Sequence, residues 1–427
     1  MKEVRKTAAN AQNSGGQYRF RRLTVLFLTT VFQILCALPL IIKGGEINLN
    51  LTYIFFAYIA AEWLYMLFGV LITGSDYFEL EAIAFFLSGL GLTVCASFNE
   101  NFALKQLIAI GLGLAVYLIT LLLIKDVRVA MFLRYPAAIG SLGLLAVNLV
   151  LARSTNGALN WIDIGGFSVQ PSEFVKVAFI LVGAVSLDKL LSNASLTRYI
   201  IFSVVCVGAL FLMRDFGTAL IFFFTFILIA YMRSGDIRTI ALICTVALLG
   251  AALIIYFKPY VAGRFAAYRH VWENADSSGY QQTRVLIYSA SGGLLGLGMG
   301  RGNLRKVFAA STDLIFGLIC EEWGLLIGIA VIISFACIAV FAIRAAKGSA
   351  SSFYAIAAVA AAGMLLFQLM LNVFGVTDLL PLTGVTMPFV SRGGSSMICS
   401  WGLLAYIRAA GAPFKPPAQD IKVGDRR

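Results

Sequence analysis

Apolar runs of membrane-spanning length recur along the whole chain, and they leave it few folds to choose from. They lie near 23–42, 51–72, 78–97, 103–124, 135–152, 172–188, 199–213, 216–232, 238–257, 314–343, 354–375 and 394–410. About 20 apolar residues in a helix cross the roughly 30 Å hydrocarbon core of a bilayer. The runs are continuous and not alternating, which selects helices over a barrel of strands. Composition agrees: 60% of the 427 residues are hydrophobic and 13% charged, against about half and about a quarter in a soluble domain. The expectation is an all-α polytopic membrane protein with about twelve spans.

The net charge is +12. In such a chain it reflects topology, and nucleic acid is not an expected partner. Much of the charge precedes the first run, at Lys2, Arg5, Lys6, Arg19, Arg21 and Arg22. Lysine and arginine concentrate in the short loops on the cytoplasmic side. With the N-terminus inside, Lys125, Arg128, Arg134, Lys189, Arg198, Arg233, Arg238, Arg344 and Lys347 all fall inside, as does the C-terminal tail. Loops 153–171, 258–313 and 376–393 then share the outside. The first run is long and lacks a small-residue cleavage pattern, so no cleavable signal is expected. The seven cysteines sit in apolar runs without metal or disulfide spacing, and read as small buried hydrophobes.

The polar features collect in the outside loops. Loop 153–171 leads through Gln170-Pro171-Ser172-Glu173 to Lys176. Proline and an acid suit a helix start, and Glu173 and Lys176 share a helix face. A local ion pair would suffice for a helix end, yet Lys176 lies inside an apolar run, where charge usually serves function. Loop 258–313 carries Arg264, Arg269, the only histidine (His270), Tyr280-Gln281 and the glycine run from Gly292 to Gly300. No strand precedes that run, so a dinucleotide fingerprint is rejected and a tight or re-entrant turn expected. The loop closes on Thr312-Asp313, at the mouth of an apolar run holding Glu321 and Glu322. An acid there, below a basic loop, suits an anionic substrate at a membrane surface. A helix continuous from Asp313 would put Glu321 about 12 Å further on and within about a quarter-turn of its face, with Glu322 roughly opposite. Glu321 is therefore the expected cavity-lining acid. Arg214-Asp215 reads equally as a turn or as a site, and His270 as a surface residue. Gln368 and Asn372 share a face and could hydrogen-bond across helices.

Five blocks together resemble the SEDS family of shape, elongation, division and sporulation proteins. They are Asn156–Lys176, Arg214–Thr218 with Asp-Phe-Gly-Thr, Tyr280–Gly300, Thr312–Gly324 with Thr-Asp-x-Ile-Phe and Glu-Glu-x-Gly, and Pro381–Ser396 with Pro-Phe-x-Ser-x-Gly-Gly-Ser-Ser. Order, spacing and membrane side agree across residues 78–410. Asn160 stands where the family usually has arginine, and Arg392 where tyrosine is usual. The resemblance implies a ten-helix core in the bacterial cytoplasmic membrane. The chain then divides into a disordered basic cytoplasmic tail (1–22), two added N-terminal spans (23–72), the core with its large extracellular loop (73–410), and a cytoplasmic tail (411–427).

The resemblance also implies polymerisation of lipid II into peptidoglycan glycan strands with a class B penicillin-binding protein, and places the essential aspartate on Asp313. The 4-hydroxyl of a lipid II acceptor would attack the anomeric carbon of a polyprenyl-pyrophosphate-linked glycan, with Asp313 as general base. The leaving group needs positive charge, from Arg264, Lys176 or a divalent cation such as magnesium or manganese; no metal ligands can be named. Glu173, Tyr280, Gln281, Thr312, Glu321 and Ser395 complete the implied substrate site. A lipid II flippase and a non-catalytic scaffold for a penicillin-binding protein are the competing readings.

Overall fold

The computed structural model describes residues 2–43, 45–73, 78–155, 158–164, 167–186, 193–238, 241, 243–245, 268–349 and 351–411. Among them, eight helices are long and apolar enough to cross a membrane. The protein is a multi-pass helical membrane protein. The N-terminal half holds α1 (Lys2–Ile41), α2 (Leu49–Thr73), α3 (Glu79–Phe98), α4 (Glu100–Ile124), α5 (Val127–Leu151), α6 (Pro171–Ser186), α7 (Asn193–Leu212) and α8 (Phe216–Ser234). The second half holds α9 (Tyr280–Ser291), α10 (Ile315–Glu322), α11 (Gly324–Gly348), α12 (Ser352–Val376) and α13 (Gly394–Ala410). The run expected at 238–257 and Arg264 lie largely or wholly outside the described residues.

Three expectations need correction. First, α1 begins at Lys2, so residues 2–22 are helical where a disordered tail was expected. The segment is rich in alanine, lysine, arginine and glutamine, all good helix formers, and it extends a helix already nucleated by the membrane span. Second, the run 314–343 is two helices: α10 stops at Glu322, and Gly324, at φ +83°, starts α11. Third, the loop expected at 153–171 after α5 holds a small antiparallel sheet of β3 (Arg153–Thr155), β4 (Ala158–Ile164) and β5 (Phe167–Val169). A two-residue pair, β1 (Ile42–Lys43) with β2 (Glu46–Ile47), caps the α1–α2 turn. Short strands satisfy backbone groups that a bare loop would leave to water.

The core forms where α13 packs along α4 and against α6 and α12. The small residues Ala357, Ala358, Ala360, Ala361 and Ala362 on α12 are buried, and small side chains let membrane helices approach closely. Gly113 shows the same need: a Cβ there would lie 2.8 Å from the Trp401 ring.

Buried charge ties the layers together. Glu81 on α3 lies 3.2 Å from Nε of Arg408 on α13, and accepts from Tyr117 at 2.6 Å and Tyr65 at 3.2 Å. A polar seam joins the first two helices to each other. Glu62, fully buried on α2, accepts from Gln33 Nε2 at 2.6 Å and from Thr29 at 3.1 Å, and Trp63 donates to Thr30 at 2.9 Å. Gln33 and Tyr58 lie over Gly89 of α3.

Candidate active site

The site is assembled at the end of the bundle where α6, α8 and α13 begin. Pro171 opens α6, with no backbone donor to lose. One turn on, Lys176 Nζ and Glu173 Oε1 meet at 2.7 Å, with the side chains 1% and 5% exposed. The Gln170 N–H donates to Ser395 Oγ at 3.2 Å, bringing α13 to this point. Gln170 Nε2 donates to Asp215 Oδ2 at 3.1 Å. Asp215 also caps α8, accepting the Thr218 N–H at 3.1 Å. Burial pushes the Asp215 carboxyl above its ordinary value; the Thr218 hydrogen bonds and Lys176 oppose this, and Glu173 adds to it.

Asp313 enters on a tight turn. The N–H groups of Thr312, Asp313 and Leu314 converge on the Ala309 carbonyl at 3.1, 3.0 and 3.1 Å. Ala309 itself sits at φ +63°. Asn372 on α12 clamps the turn, donating to the Asp313 carbonyl at 2.9 Å and to that of Val385 at 2.8 Å. Ser391 Oγ donates to the Thr312 carbonyl at 2.6 Å, and the Arg392 N–H to that of Ser311 at 2.8 Å. The Asp313 carboxyl faces Gly384, at φ +72°, where a Cβ would stand 3.5 Å from Oδ2. Burial pushes Asp313 up to about 7; the Thr312 hydrogen bond opposes this and the charge of Asp215 reinforces it. A carboxyl poised there can take a proton near neutral pH, as a general base requires.

The expected residues divide. Gln170 links Ser395 to Asp215, Lys176 pairs with Glu173 one turn further along α6, and Asp313 and Thr312 sit in the neighbouring turn, where the Asp313 carboxyl feels the charge of Asp215. Gln281 Nε2 donates to the Phe308 carbonyl at 3.3 Å, so it steadies the turn from behind. Tyr280 is exposed, with Arg284 5.2 Å from its ring centroid, and stands outside this network. Glu321 does not line a cavity. It is fully buried and accepts the N–H groups of Asn303 at 2.7 Å and Leu304 at 2.9 Å. Glu322 accepts the Gly300 N–H at 3.0 Å beside Arg305 at 3.8 Å. The supposed continuous helix is the source of the error, because Asp313 precedes α10 and shares no helical face with Glu321. Both glutamates instead hold the glycine run, which folds back on the α10–α11 break. A Cβ on Gly296 would lie 2.3 Å from the Glu322 carbonyl oxygen, and one on Gly324 2.2 Å from that of Leu294. Asp215 and Gln170 were the residues not assigned to the site from sequence. The signal for Asp215 was its place directly ahead of an apolar run, the same as that of Asp313.

No group of three or more histidine, cysteine, aspartate or glutamate side chains that could hold a metal exists among the described residues. Of the carboxylates here, Glu173 is already paired with Lys176, which leaves Asp215 and Asp313 as the oxygen donors that could face a cation. An apolar groove of about 240 Å³ lies between α4, α5, α6 and α13; Phe174 and Val177 line its end nearest the site, and Ile124, Leu133, Leu181 and Tyr406 carry it toward the opposite end of the bundle. Phe174 and Val177 are the chain neighbours of Glu173 and Lys176.

A poised carboxylate and a buried ion pair at one end of a helical bundle mark a polytopic membrane protein with a polar site at that end. The sequence profile described as cell cycle protein (FtsW, RodA, SpoVE) matches residues 79–411, and the chain belongs to this family. Peptidoglycan glycosyltransferase RodA of Mycobacterium leprae (strain TN) is 29% identical over 77% of this chain and 76% of its own. Stage V sporulation protein E of Bacillus subtilis (strain 168) is 32% identical over 57% and 68%. A solved structure concerned with the coordination of polymerization and crosslinking by a peptidoglycan synthase complex superposes with TM-score 0.65, at 24% identity, over 78% of this chain and 97% of that one. The helices α1 and α2 precede the matched region.

Proposed function

We propose that this protein is a peptidoglycan glycosyltransferase that polymerises lipid II at the outer face of the bacterial cytoplasmic membrane. The observation that carries this reading is the Asp313 carboxyl, held in a turn clamped by Asn372 and Ser391, near the charge of Asp215, and pushed up to about 7. The acceptor 4-hydroxyl gives its proton to Asp313 as its oxygen bonds to the anomeric carbon of the donor. The bond from that carbon to the diphosphate breaks, and the polyprenyl diphosphate leaves with the electron pair. Lys176 supplies positive potential to this end of the bundle. Arg264 is assigned the same task from sequence. The apolar groove beside Phe174 receives a polyprenyl chain without removing it from the bilayer.

Both termini lie in the cytoplasm in this reading, and loops 153–171, 258–313 and 376–393 outside. A class B penicillin-binding protein is the proposed partner, in keeping with the synthase complex to which the fold is similar. The flippase reading is less favoured because the groups assigned to substrate chemistry, Asp313, Asp215, Glu173 and Lys176, all lie at one end of the bundle, and the buried Glu81–Arg408 pair at the other end is already closed by its own partners. The test is glycan product from labelled lipid II with the purified protein in detergent, alone and with candidate partners. Polymer formed without a membrane barrier is catalysis and not transport. No polymer under any partner condition would return the flippase and scaffold readings.

A further inference from the structure

Arg392 is a cation that the mechanism above leaves unused. Its N–H donates to the Ser311 carbonyl at 2.8 Å, two residues before Asp313. Its neighbour Ser391 accepts from Gln106 of α4 through its carbonyl at 3.3 Å. Residue 392 is thus fixed between the Asp313 turn and the start of α4. There its guanidinium lies over the Phe102 ring, 4.2 Å from the centroid. The side chain is partly exposed, and among the described residues it meets no carboxylate and no hydrogen-bond acceptor. Glu100, an acid in the same turn of α4, already accepts from Asn48 and Asn50.

Stacking occupies the face of a guanidinium and leaves its N–H fork in the plane free. That fork matches a phosphoryl group in a bidentate way. We propose that Arg392 is a further substrate-binding residue of the site, receiving a phosphoryl group of a lipid-linked diphosphate on the α3–α4 side of the Asp313 turn. The proposal rests on the polymerase reading, in which two diphosphate-bearing lipids must be held at once. Lys176, in α6, serves the other side of the site. Arg392 contributes affinity that is equal in ground and transition states, so its loss raises KM and spares kcat.

The test uses full-length purified protein with Arg392→Gln and Arg392→Lys. Removing a charge-assisted hydrogen bond weakens binding by about tenfold or more, so Arg392→Gln is expected to raise KM for lipid II about tenfold, with kcat within about twofold. Arg392→Lys keeps the charge but loses the fork and falls between. A polyprenyl diphosphate should compete about tenfold less well against Arg392→Gln, while the matching polyprenol competes equally against both. Inorganic diphosphate is the third arm. Arg392-dependent competition by the bare anion, or by the lipid-linked form alone, supports the proposal and says which ligand the fork takes. Unchanged KM and inhibition in Arg392→Gln would overturn it. So would a lower melting temperature with reduced kcat and constant KM, since that marks a structural clamp on Phe102. If wild type makes no polymer, the polymerase reading has failed, and binding of polyprenyl diphosphate by wild type and Arg392→Gln still decides the role of Arg392.

Discussion

Asp313→Asn separates chemistry from architecture with one atom. The Asp313 carboxyl rises from the ordinary aspartate value of 3.8 to about 7. Between those values the folded protein holds a proton that the unfolded chain has lost. The folded state then binds more protons, so stability falls as pH rises through this window. A rise of about three pH units caps the cost at about 4 kcal/mol at pH 8, and partial exposure makes it smaller. Asparagine does not ionise and avoids this cost. The variant should therefore melt no lower than wild type at pH 8, and its backbone clamp through Asn372 is untouched. It cannot accept a proton, so polymerisation should fall by about 10²-fold or more. In wild type the rate should fall about tenfold per pH unit below 7, because only the carboxylate is competent. The assay is glycan product from lipid II at equal protein, across pH, beside thermal melts. Comparable product from Asp313→Asn would remove Asp313 from the mechanism. A lost activity that tracks a lowered melt would make it a structural residue.

Three further outcomes follow from the geometry. Lys176→Ala leaves Glu173 as a buried, unpaired charge, which should cost about 3–5 kcal/mol; the double variant Lys176→Met, Glu173→Gln should recover the melting temperature but not the polymerisation rate. Gly324→Ala combines a left-handed backbone with a contact of 2.2 Å to the Leu294 carbonyl, and should lower stability by at least about 1–3 kcal/mol, read as a lower melt or poor insertion. Ser277→Cys, on an exposed turn, should react with an impermeant thiol reagent in intact cells without an outer-membrane barrier; reaction only after lysis would reverse the topology.

Much of this was legible in the sequence, for definite reasons. Long apolar runs must be helices in a bilayer, so the membrane spans of α1 to α8, α12 and α13 were readable from hydropathy alone. Their charges were harder to place. Glu81 pairs with Arg408 of the last helix, and no local pattern reports such a pairing. The site was legible where motif and helix start coincide, at Glu173, Lys176 and Asp313. It was misread where a helix was assumed to continue. Hydropathy runs smoothly through Trp323-Gly324, so only the left-handed glycine reveals that α10 ends there and that Glu321 turns toward backbone donors. Asn372 was legible as a cross-helix donor; that it would hold the Asp313 carbonyl was not.

The Glu81–Arg408 pair bears on how the protein is made. Ribosomal synthesis delivers α3 early and α13 last among the described helices. Until α13 arrives, Glu81 has its tyrosine donors but no cation, so the half-made bundle holds an uncompensated acid beside lipid, a costly condition in a membrane. Insertion of α13 removes that defect and at the same time carries Ser395 to Gln170. Assembly of the candidate-site end and neutralisation of the opposite end therefore both wait for the last of these helices. A nascent chain interrupted before α13 inserts exposes an unpaired intramembrane acid by which a membrane protease could recognise it as unfinished.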